Sequence, residues 1–102
     1  MNYDAFILSL KNNNPPLNLS NPELAMWHAL KNNWNDAHKI IQGIDNEIAA
    51  WIHAYLHRLE GDVNNANYWY KKAEKTPTNE SFKDEAKNII SFLHNKKSSM
   101  ID

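Results

Sequence analysis

The sequence predicts an all-α fold, an array of antiparallel helical hairpins with five to six helices. Apolar residues recur at three- and four-residue spacing along most of the chain, and strict apolar–polar alternation is hard to find. Glycine is limited to Gly43 and Gly61, too few for a β-protein built on tight turns. A shift of 29 residues lays Ala25 on Ala54, His28 on His57, Leu30 on Leu59, Asn35 on Asn64 and Ala37 on Ala66. Such self-similarity is the mark of stacked hairpins that cannot bury their faces alone.

Each element follows from local chemistry. Phe6, Ile7 and Leu10 outline a short first helix, stopped by Asn12-Asn13-Asn14-Pro15-Pro16. Leu17 and Leu19 in the next loop are expected to pack back on the body. Ser20-Asn21-Pro22-Glu23 reads as a capping box opening a helix with Leu24, Trp27 and Leu30 on one side, running to about Asn32. Asn33 caps a third helix with Ala37, Ile40 and Ile41 inward, ended at Gly43. Asp45 is placed as cap of a longer helix, whose stripe is Ile48, Trp51, Ile52, Tyr55, Leu56 and Leu59. Gly61 ends it, and Asp62 caps a fifth helix that buries Val63, Ala66, Tyr70 and Ala73. Thr76-Pro77-Thr78 breaks the chain again. Phe82, Ala86, Ile89, Ile90 and Leu93 define a last helix, and the polar tail from about Lys96 to Asp102 is expected to fray. The 102 residues make one domain, with repeat units at about 21–44 and 50–73 and a capping helix at about 79–95.

Composition narrows the function. With 11 basic and 12 acidic side chains the net charge is −1, which leaves no field for gathering phosphates and argues against nucleic acid as a partner. The absence of cysteine removes disulfides, thiolate chemistry and cysteine-type zinc sites. Apolar runs are too short to span a membrane, and MNYDAFILSL lacks the pattern of a signal peptide, so a cytoplasmic location is expected. The 16 asparagines are dispersed and fit the codon bias of an AT-rich genome rather than a prion-like tract.

The stretch Gly61-Asp62-Val63-Asn64-Asn65-Ala66, followed by Tyr70, Ala73 and Pro77, resembles the second half of a tetratricopeptide repeat. Ala54 stands where that repeat has a small residue in its first helix. The offset of 29 is shorter than the usual period of about 34, and the first unit lacks the glycine and the proline. The run from Trp51 to Arg58 and on through Tyr68-Trp69-Tyr70 is also similar to small uncharacterised bacterial proteins. Tetratricopeptide-like proteins bind peptides or proteins in a concave groove, so the resemblance implies a binding module rather than an enzyme.

Several residues could carry that role. His53 and His57, four apart, project from one helical face, a spacing found in zinc sites. The metalloprotease motif fails, because Ala54 stands where its glutamate belongs. A histidine/carboxylate site could recruit His28, Glu60 or Asp62; alternatively His28 and His57, at equivalent repeat positions, are polar spacers between stacked helices. Arg58 is the single arginine beside ten lysines, which suggests a bidentate contact with Glu60, Asp62 or Glu47, or with a ligand carboxylate. Tyr68-Trp69-Tyr70 cannot all face one core, so Tyr68 or Trp69 is left for a neighbouring helix, a partner or solvent. Lys71, Lys72 and Lys75 read as a solvated face. Nothing resembles a nucleophile in its catalytic setting.

The expected function is therefore a protein- or peptide-binding adaptor, with a second copy of the chain, as a homodimer, among its candidate partners. It uses a surface of His53, His57, Arg58, Glu60, Asp62, Tyr68 and Trp69, without cofactor or assigned metal ligand. The alternative is a small-molecule or metal site built on the histidine and carboxylate cluster. An inward-facing, mutually close histidine set with perturbed pKa values favours the alternative, and exposed aromatics on a groove favour the adaptor.

Overall fold

Capping explains most of the helix boundaries in the computed structural model, which describes the backbone of residues 2–101 and the side chains of residues 2–95. Asn2 caps α1 (Tyr3–Ser9), its side chain accepting from the Ala5 amide. Ser20 and Glu23 form the expected capping box on α2 (Asn21–Leu30). Asn33 stands at the N-cap of α3 (Trp34–Gln42), although its side chain makes no capping hydrogen bond. The cap of α4 (Glu47–Leu59) is Asn46, one residue beyond Asp45, with Oδ1 accepting from the Ala49 amide at 2.8 Å. Asp62 caps α5 (Val63–Lys72) as expected. Ser81 receives the Asp84 amide at the start of α6 (Phe82–Ile101). That helix continues past residue 95, since neither glycine nor proline interrupts it there. All six elements among the described residues are helices.

The sequence offset reappears in the backbone turns. Asn32 and Gly61, 29 positions apart, both adopt left-handed φ values of 64° and 81°. Beside them the Asn33 amide donates to the His28 carbonyl at 2.8 Å, and the Asp62 amide to the His57 carbonyl at 2.9 Å. Each is the 6→1 bond of a Schellman turn, in which the left-handed residue lets the chain leave one helix and enter the next. Ala25, Ala37, Ala54 and Ala66 are all buried, as close backbone approach requires.

Helix α4 occupies the centre and packs against α2, α3, α5 and α6. Every residue from Ala49 to His57 is buried, the signature of a helix covered on all sides. Trp27, Met26, Ile41, Ile52, Leu56, Tyr70, Ile89 and Ile90 fill the core around it. Three residues expected inside are not. Leu17 is 88% exposed and Val63 60% exposed, because the first lies in a loop and the second in the first turn of α5. Phe82 is half-exposed and lies against the guanidinium of Arg58 at 4.7 Å. Among the described residues no helix is long and apolar enough to cross a membrane.

Candidate functional site

The burial of α4 on every side places two histidines in the interior, His53 at 5% and His57 at 6% exposure. Their rings stack with centroids 4.9 Å apart. From α3, His38 meets both: its Nε2 lies 3.0 Å from Nε2 of His53, and its centroid 5.6 Å from that of His57. One nitrogen of each of the three rings lies within 4.8 Å of the other two. His28, by contrast, stays on α2 with its ring edge-on to Trp27 at 5.4 Å, and its buried Nδ1 has no hydrogen-bond partner among the described residues.

Two indoles hold the trio. Trp34 stacks on His38 at 4.8 Å and 11°, while Trp69 stacks on His53 at 3.9 Å and 13°. Trp34 is itself fixed by a 2.6 Å bond from Nε1 to the Leu56 carbonyl. Glu60, at the end of α4, accepts a 2.8 Å hydrogen bond from Nδ1 of His57. An ionised carboxylate only accepts, so this contact places a ring proton on Nδ1, and in the neutral tautomer Nε2 is the lone-pair nitrogen. Asp62 forms a further group with His57 and Glu60, and its Oδ1 caps α5.

The electrostatics favour the uncharged form of His53 and His38. Burial pushes the pKa of His53 down to about 4, helped by the neighbouring His38 and His57. His38 is lowered for the same two reasons, burial and then His57, with Glu60 opposing. Desolvation penalises an imidazolium, and two cations cannot share a 3.0 Å contact. Neutral imidazole is also the form that ligates metals.

Arg58 uses its guanidinium within the fold, but not on Glu60, Asp62 or Glu47. Nη1 donates to Oε1 of Glu85 at 2.7 Å and Nη2 to the Glu80 carbonyl. Glu85 on α6 is 1% exposed and also accepts from Tyr70 at 2.5 Å and Trp51 at 3.2 Å. Burial, then the bond to this carboxylate, raises the pKa of the Tyr70 hydroxyl. The hub ties α4, α5 and α6 together. Tyr68 remains exposed, with its ring edge-on to Trp69 at 5.1 Å.

The structure thus gathers His53, His57, Glu60 and Trp69 around one point, sets Asp62 at its edge, and turns Arg58 to a separate network. Sequence reasoning missed His38, although it lies one helical turn after Trp34 and so shares its face. It also missed Glu85, whose signal was an acid on the apolar stripe of Phe82, Ala86 and Ile89. Comparison with protein-family models, with curated proteins and with solved structures gives no match.

Proposed function

We propose that this chain is a small helical binding protein whose ligand is a divalent ion of the late first row, of the zinc or copper kind, held by His38, His53 and His57. The observation that carries the reading is the convergence of three imidazole nitrogens within 4.8 Å from two different helices. Two nitrogens on a tetrahedral ion with bonds of about 2.05 Å lie about 3.3 Å apart. The His38–His53 pair at 3.0 Å already has nearly that spacing, and the nitrogen of His57, within 4.8 Å of both, closes the set by moving inward. Binding asks the donor ring of that pair only to move its proton to the other nitrogen. An all-imidazole set suits zinc, copper and nickel, while calcium and magnesium require oxygen. Glu60 supplies the carboxylate that typically orients a ligating histidine from behind.

The test is calorimetric titration of tag-free, chelator-treated protein with zinc chloride. The reading expects one ion per chain and a loss of affinity of at least about 100-fold in His53→Ala. Absent binding in the folded wild-type chain, or unchanged affinity in His53→Ala, overturns it.

A second reading, a tetratricopeptide-like module that binds a peptide or a second copy, draws on the recurring turn geometry and on exposed Tyr68. Affinity purification from native cells, wild type beside Tyr68→Ala, tests it. A stoichiometric partner lost in the variant supports the reading, and identical recoveries contradict the assignment of that surface.

A further inference from the structure

The number of donors has a consequence beyond metal binding as such. Structural zinc sites close with four protein ligands, whereas three protein ligands leave a position for an exogenous group. Among the described residues no fourth histidine and no carboxylate joins His38, His53 and His57 in the mutual 4.8 Å group, and the chain has no cysteine. Glu60 is engaged on Nδ1 of His57 at 2.8 Å, which leaves Nε2 of that ring to ligate. Trp34 and Trp69 cover the flanks with ring faces that offer no lone pair for a hard or borderline cation. On the remaining side His38 is only half-buried, while His53 and His57 are buried. The trio is therefore flanked by indoles and least buried at His38, on α3.

Resting on the metal reading above, we infer that the bound ion keeps one exchangeable coordination position at the His38 edge, filled by water and replaceable by a small anion. The site is then a Lewis-acid centre, not a rivet between α3 and α4. Water on such an ion is acidified, and a small anionic or carbonyl ligand entering beside His38 would coordinate in its place.

Cobalt(II) substitution separates the possibilities, because its visible d–d spectrum reports coordination number and ligand exchange. Tag-free protein is loaded with one equivalent of cobalt and titrated with azide, beside Glu60→Gln treated identically. The inference expects a saturable change of the spectrum with azide in both proteins. A cobalt spectrum in the wild type that azide leaves unchanged overturns the inference while leaving the metal reading standing. So does azide sensitivity confined to Glu60→Gln, which would make Glu60 the fourth ligand. Failure of cobalt and zinc to bind at all overturns the metal reading itself, and the inference with it.

Discussion

Replacing Glu85 tests the hub that ties α4, the helix carrying His53 and His57, to α5 and α6. Its carboxylate is buried, and all its contacts are internal: Arg58 at 2.7 Å, Tyr70 at 2.5 Å and Trp51 at 3.2 Å. Removing one partner of a buried ion pair costs about 3–5 kcal/mol, because the other charge remains without compensation. The Arg58 side chain is 16% exposed, so water relieves part of that cost and the lower end applies to Glu85→Ala, about 3 kcal/mol. For a domain of this size each kcal/mol moves the melting temperature by about 4–8 °C, which gives a fall of roughly 12–24 °C. Thermal unfolding followed by far-ultraviolet circular dichroism reads it. Glu85→Leu combined with Arg58→Met removes both charges, and is expected to recover much of the loss. A fall below about 4 °C for Glu85→Ala, or a double variant as unstable as the sum of the singles, refutes the reasoning.

Protonation gives a second prediction. The folded-state pKa of His53 is depressed to about 4 from an ordinary 6.5, so the unfolded chain takes up a proton first as pH falls. Stability of the chelated protein is therefore full above about pH 6.5 and declines towards pH 4. His38 from α3 and His57 from α4 add to this direction, and Glu60 opposes it at His38. Urea midpoints across that range check the slope, and an equal slope in His53→Gln contradicts the assignment. Gly61→Ala isolates backbone strain: a Cβ there meets nothing within 4 Å, yet φ is +81°. A loss of about 1 kcal/mol in urea unfolding is expected, and no loss would remove the left-handed turn from the account.

Much of the fold was legible because it rests on local chemistry. Ser20 and Glu23 cap each other within four residues, and Gly61 and Asp62 mark a turn that needs no distant partner. The misplacements share one cause. Asp45 and Asn46 are both good caps, and only the packing of α4 decides which amide each faces. Val63 has an apolar side chain on a helix whose first turn is exposed, where burial depends on a neighbour the sequence does not name. The site was half legible for the same reason. His53 and His57 belong to one helix and could be paired by spacing, but His38 reaches them only through the α3–α4 contact. The repeat offset pointed instead to His28, whose equivalence to His57 holds for the backbone turn and not for the imidazole cluster. Arg58 pairs internally with Glu85, 27 residues away on α6, and not with Glu60, Asp62 or Glu47, the acids near it in sequence.

One metal ion held by His38, His53 and His57 is the reading on which the proposed function rests. Crystals grown with one equivalent of zinc, with diffraction recorded on both sides of the zinc absorption edge, test it most directly. A single strong anomalous peak is expected at about 2.0–2.1 Å from one nitrogen of each of the three rings. A peak confined to Glu60 and Asp62, or none in crystals of folded zinc-treated protein, would contradict it.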